Sequence, residues 1–223
     1  MRFLRTTPGC SRFFRLIMTA GLVFSLGLLA GCGPSLSYTV SPDLIKRLPK
    51  SSRRSVFQAE TVVTIAVDRM SAVKRTIDNT HREIDRTLTR IKKIKEGAAN
   101  AAAREADKVD MEVDMLEAKI DFLNDKIDHF EVKLELADME LILAKAQFEL
   151  AKVKLVKKHS IAFDDDEEDF IEQVKSIQSD VNDFRKEVEE DAADLKREED
   201  EWLAVKKKYF SSIGESSKGW WTE

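Results

Sequence analysis

Apolar residues recur at alternating intervals of four and three along much of this chain. From Val63 they fall at Ala66, Met70, Val73, Ile77, Ile84, Ile91 and Ile94, with Thr80 and Thr87 in the two remaining seam positions. This spacing keeps one stripe on one side of a helix, and over several heptads it is the coiled-coil pattern. Ser55-Val56-Phe57-Gln58 matches a capping box, with Ser55 at N-cap and Gln58 at N3, so a first helix is predicted over about 55–96. The stretch 61–67 is β-branched enough for a strand, but the seam runs through it, and helix is the prediction.

The second long segment, about 100–158, carries two stripes. One runs Ala106, Val109, Val113, Leu116, Ile120, Leu123, Ile127, Phe130 and on through Leu134, Ala137, Leu141, Ala144, Phe148, Ala151 and Leu155. The other runs Val132, Leu136, Met139, Leu143, Ala146, Leu150 and Val153, with Met115, Ala118 and Phe122 as an earlier fragment. At 100° per residue the stripes point to nearly opposite sides. A helix apolar on both sides must lie between partners, because a bare seam of that length would aggregate.

Between these segments, Glu96-Gly97-Ala98-Ala99-Asn100 offers a glycine where a helix ends in αL and an asparagine where the next is capped. The heptad phase also slips by one residue there. A tight hairpin at Gly97 accounts for all three features. The alternative is one continuous helix over 55–158 with a skip residue, in which case the second stripe needs partners from other chains.

A third helix is predicted over about 164–212. Its stripe is Phe170, Val174, Ile177, Val181, Phe184 and Val188, then more thinly Ala192, Leu195, Trp202, Val205 and Tyr209, with Gly214 as the stop signal. Folded back around 159–163, it pairs positions whose numbers sum to about 322, which sets 170–188 against 152–134 and Trp202 near Ile120 and Phe122. Charge agrees: the first helix is net basic, the third strongly acidic, and that asymmetry disfavours wrong registers. The fold class predicted is all-α, a long antiparallel three-helix coiled-coil rod.

Composition sharpens the picture. All four prolines lie at or before Pro49, and beyond Gly33 the only glycines are Gly97, Gly214 and Gly219. A span so poor in breakers suits long helices and no turn-rich sheet. Residues 32–54 hold Pro34, Pro42, Pro49, several serines and the bases Lys46, Arg47, Lys50, Arg53 and Arg54. They read as an extended tether, with 214–223 as a short tail.

The start of the chain has its own grammar. Arg2, Arg5, Arg12 and Arg15 precede an apolar run over 16–29, too short to span a bilayer, which ends in Leu29-Ala30-Gly31-Cys32. This stretch resembles the lipobox of bacterial lipoprotein precursors. The resemblance implies a signal peptide over 1–31, cleavage between Gly31 and Cys32, and a diacylglyceryl group on the Cys32 thiol with acylation of the new amine. It also implies a membrane lipid anchor at the periplasmic face, with Gly33 after the cysteine favouring the outer over the inner membrane. The chain has 37 basic and 41 acidic residues, and a leader carrying four arginines and no acid would leave a mature charge of −8. With Cys10 in the leader and Cys32 lipidated, no thiol remains for a disulfide.

No pattern of catalytic or metal-binding residues stands out. HExxH, P-loop and GxSxG motifs are absent, and His81, His129 and His159 are far apart, with His129 read as a solvated side chain. The run Asp164-Asp165-Asp166-Glu167-Glu168-Asp169 lacks the alternating ligands and glycine of an EF-hand and reads as helix-start charge. No enzyme activity, cofactor or metal site is therefore expected. The basic cluster Arg82, Arg86, Arg90, Lys92, Lys93 and Lys95 reads as a solvated face or a contact for acidic partners, not as a nucleic-acid patch. Trp220 and Trp221 are the candidate interaction residues near the terminus.

The function expected is a lipid-anchored structural or interaction scaffold of the cell envelope, with an envelope protein as partner and homo-oligomerisation open. Two alternatives stand beside it. One is an accessory role in envelope transport, since 134–155 is similar to the hairpin helices of periplasmic adaptors. The other is a periplasmic chaperone with helical arms.

Overall fold

The computed structural model describes residues 36–98 and 103–214, with side chains in the second stretch from Ala106. The chain divides into a unit of residues 1–37, of which only Leu36 and Ser37 are described, and a unit from Tyr38 onward. All regular structure in the described residues is helical: α1 (Pro42–Lys46), a 3₁₀ turn (Lys50–Arg53), α2 (Arg54–Ala98), α3 (Ala103–Lys158) and α4 (Glu167–Ser212). The protein is all-α. Its three long helices measure about 68, 84 and 69 Å at 1.5 Å per residue.

α3 packs against α2 along one side and α4 along another. The α2 seam is turned inward throughout: Ala66, Thr80, Thr87 and Ile91 are buried and the rest of it half-buried. The two buried threonines satisfy their hydroxyls within the helix, Thr80 Oγ1 donating to the Thr76 carbonyl (2.9 Å) and Thr87 Oγ1 to that of Glu83 (2.8 Å). The stretch 61–67 is helical, and its off-seam residues Val62, Ile65 and Val67 stay exposed. Ala66, Leu141 and Ala144 form one core cluster, while Val113, Leu116, Leu123 and Ile127 bury the first stripe of α3 further along.

The chain folds back between α2 and α3. Arg90 Nη2 lies 2.6 Å from Glu112 Oε1, and Lys119 Nζ 2.6 Å from Glu83 Oε1. Residues 22 apart on one continuous helix would be about 33 Å apart, so the single-helix alternative does not hold. Gly97 is nonetheless not the αL residue expected. It lies in the last turn of α2, and Gly214 is the only glycine with positive φ among the described residues (φ 74°). The connection at 99–102, with Asn100, lies outside the described residues.

α3 ends in a Schellman motif. Ile161 N–H donates to the Val156 carbonyl (3.1 Å) and Ser160 N–H to that of Lys157 (2.9 Å), with Ser160 at φ 54°. Asp166 then caps α4, its carboxylate accepting from Glu168 N–H (3.4 Å). A hydrogen bond from Lys157 Nζ (3.2 Å), reinforced by this backbone donor, holds the Asp166 carboxyl below the usual carboxylate range. Acidic Glu167, Glu168 and Asp169 fill the first turn, as the helix dipole favours.

The pairing of α3 with α4 follows the expected register. Phe122 and Trp202 stack with ring centroids 5.4 Å apart and planes 5° from parallel. Phe170 packs with Val153 and Val156, and Arg185 Nη2 reaches Glu140 Oε1 at 2.7 Å. Glu140 also faces Arg69 Nη1 of α2 at 3.7 Å, so one carboxylate lies between the two outer helices.

Three further expectations fail. Ser55 is not an N-cap: the chain is already helical through the 3₁₀ turn, and Ser55 Oγ donates back to the Ser52 carbonyl (3.1 Å). The stretch 38–54 is not an extended tether. Val40 and Leu48 are buried, and Val40 joins Val153, Val156 and Phe170 in a core cluster flanked by Tyr38, Leu44 and Ile45. Its apolar side chains are worth more against the end of α3 than in water. Third, His129 is not solvated. It is 3% exposed, with Nδ1 at 2.6 Å from Asp191 Oδ2 of α4.

Candidate functional site

Two arrangements of polar side chains stand apart from the apolar packing. The first fastens the N-terminal segment. Pro42 at the first helical position and Ser41 at the N-cap start α1, and Arg53 closes the following turn. Its Nε donates to the Leu48 carbonyl (3.1 Å) and its Nη2 to that of Lys46 (2.7 Å). Upstream, Val40 N–H donates to Glu149 Oε2 (2.7 Å), and Tyr38 N–H to Gln173 Oε1 (3.1 Å). Glu149 is 8% exposed and is neutralised by Lys152 at 2.6 Å, whose ammonium also lies 4.2 Å from the Phe148 ring centre. A buried carboxylate needs such a set of partners.

The second arrangement is a cleft of about 820 Å³ toward the other end of the helices. It exists because α2 and α4 both pack chiefly on α3, leaving a gap over part of its length. Arg82, Arg86 and Arg90 of α2 rise along one wall at four-residue spacing, which keeps them on one helix face. Met115 and Leu116 of α3 form an apolar floor, part of a core cluster with Ile91, Val113, Tyr209 and Phe210. Trp202, Lys206 and Phe210 of α4 form the opposite wall.

The wall of α4 is packed through ring contacts. Trp202 is stacked on Phe122, Lys206 Nζ lies 5.3 Å from the Trp202 ring centre, and Phe210 meets Tyr209 edge-on at 5.2 Å. On the α2 side, Arg90 and Glu83 are held by Glu112 and Lys119, while Arg82 contacts Asn79 (2.6 Å). Arg86 has no hydrogen-bond or ion-pair partner among the described residues. The cleft is thus lined by five bases and one acid in a chain that is net acidic. It offers a positive, partly aromatic surface.

The remaining residues singled out in the sequence are placed as follows. Lys92 and Lys95 pair with Glu96 (3.9 Å) and Glu117 (3.0 Å), and Lys93 lines a shallow recess beside Arg86. Among the described residues no three His, Cys, Asp or Glu side chains converge as a metal site, the run 164–169 included. No described helix is long and apolar enough to cross a membrane. Gly31, Cys32, Trp220 and Trp221 lie outside the described residues. Sequence reasoning found the arginines and Trp202 separately but not the cleft. The available signal was the i, i+4, i+8 arginine spacing opposite an aromatic stretch of α4.

No protein-family model, curated protein or solved structure matches this chain.

Proposed function

We propose that this chain is a lipid-anchored, extracytoplasmic scaffold of the bacterial cell envelope, held to the membrane through Cys32 and engaging an envelope protein through its helical body. The observation that carries the interaction role is the basic, aromatic-walled cleft at Arg82, Arg86 and Trp202. Arg86 has no partner among the described residues and Arg82 contacts only the exposed Asn79, which supports a role for these side chains in recognition. The lipobox Leu29-Ala30-Gly31-Cys32 supports the anchor.

The fastened N-terminal segment suits this role. Five residues separate Cys32 from Tyr38, so the chain between them can span at most about 21 Å when extended. The cleft lies about 33 residues of α3 from Glu149, or about 50 Å along the helix.

The test is metabolic labelling with a palmitate analogue in the native host, followed by membrane fractionation. Wild type is expected to take up label and sediment with membranes, and Cys32→Ser to lose both. Label retained by Cys32→Ser, or a wild-type protein released without membranes, overturns the anchor.

A further inference from the structure

The arginine wall of the cleft has features that a solvated helix face does not need. Arg82, Arg86 and Arg90 stand about 6 Å apart along α2, and like charges at this spacing repel. Arg86 is unpartnered among the described residues and Arg82 is tied only to an exposed asparagine, so an anionic occupant would relieve a repulsion the free body carries. Facing them, the half-buried Trp202 presents aromatic surface and Lys206 a further cation, while Phe210 lies buried behind them in the core.

The form of the cleft decides between occupants. α2 and α4 both run antiparallel to α3, so the two walls of the cleft run in the same direction and an occupant lying between them follows the helix axes. A small-molecule site encloses most of its ligand, whereas here the arginines of one wall lie at helical four-residue spacing, which matches the repeat of charges along a helix. A helix laid in the cleft buries one face and leaves the other in water, the usual helix-in-groove arrangement.

We propose that this cleft docks an acidic amphipathic α-helix of a partner protein, its apolar stripe against Trp202 and its carboxylates, four residues apart, against Arg82 and Arg86. The proposal deepens the scaffold reading and rests on it for the partner's location, not for the binding chemistry. Charge complementarity selects the partner: a helix with basic flanks meets the same arginines and is rejected.

The test uses the full-length protein in nonionic detergent and three labelled peptides of about 18 residues, long enough for marginal helicity. The first has a leucine stripe flanked by glutamates at four-residue spacing. The second is its scrambled sequence, and the third carries lysine for each glutamate. Fluorescence anisotropy is expected to show saturable binding of the first alone. The double variant R82E/R86E, both side chains exposed and removable without opening the core, is expected to weaken it about tenfold or more and to bind the lysine peptide instead.

Equal binding of the scrambled peptide, or no binding of the first, overturns the proposal. So does binding that appears only after residues 215–223 are removed, which assigns the cleft to the chain's own tail. Loss of binding as the protein is concentrated assigns it to a second copy and is equally fatal. Intact peptide binding with failed palmitate labelling sinks the anchor alone, and the converse sinks only the docked helix.

Discussion

Phe122 of α3 and Trp202 of α4 lie face to face, centroids 5.4 Å apart and planes 5° from parallel. The stack does two things at once. It fixes the register of α4 on α3, and it sets the indole as one wall of the cleft. Both rings are half-buried, so Trp202→Ala is expected to cost about 1–2 kcal/mol, below the full-core value. A double-mutant cycle with Phe122→Ala, followed by urea denaturation, should give a coupling of about 0.5–1.5 kcal/mol.

Glu149 holds the N-terminal segment through the Val40 N–H. Glu149→Ala removes that acceptor and leaves Lys152 unpaired in a half-buried position, at a cost of about 3 kcal/mol. Amide exchange at Tyr38 and Val40 is expected to accelerate well beyond that at Leu123 or Ile127. Glu149→Gln keeps an acceptor for Val40 and should release the segment less.

His129 and Asp191 join α3 to α4 away from the cleft. His129→Phe fills the space but leaves Asp191 without its donor. A loss of about 1–2 kcal/mol is expected, and Asp191→Asn in the same background should add little. Thermal denaturation of the two single variants and the double checks this.

Ser160 sits at φ 54°, a conformation that costs a side-chain-bearing residue about 1 kcal/mol. Ser160→Gly removes that strain while the Schellman hydrogen bonds of Ser160 and Ile161 remain. A rise in stability of up to about 1 kcal/mol is expected, read as a higher urea midpoint at unchanged slope.

Asp128 gives a pH signature. Desolvation, with Asp191 as the second cause, raises its carboxyl above the usual value. The native state therefore binds this proton more readily than the unfolded chain, and the charged form is penalised at neutral pH. Asp128→Asn is expected to raise stability at pH 7 by no more than about 1 kcal/mol, since solvent screens the site. The gain should fade as pH drops through the raised value toward the ordinary carboxylate range, in melting curves taken across it.

Much of the fold was legible because helix periodicity is a local property. The two stripes of α3 require two partners, and the α2 seam and the Phe170–Tyr209 stripe supply them within the chain. Trp202 could be set against Phe122 by counting from a turn at 159–163. His129 escapes a reading of the sequence for a physical reason. It flanks the stripe Ile127–Phe130, and on a helix clasped from two sides the flanking positions also turn into an interface, where the Asp191 carboxylate meets it. The segment 38–54 escapes it because its prolines signal an irregular chain and its few apolar residues do not show a period.

Sequence alone determined which stretches are helical, which side of each is apolar and the register of α4 on α3, since these follow from residue spacing along a rigid 3.6-residue turn, while it left open whether 55–158 folds back at Gly97. Only the tertiary structure decided that Val40 docks on Glu149, that Glu140 lies between Arg69 and Arg185, and that the outer helices part to leave a cleft with arginines on one wall and aromatic rings on the other. Those outcomes depend on distances between elements far apart in the chain, and no local pattern encodes a gap.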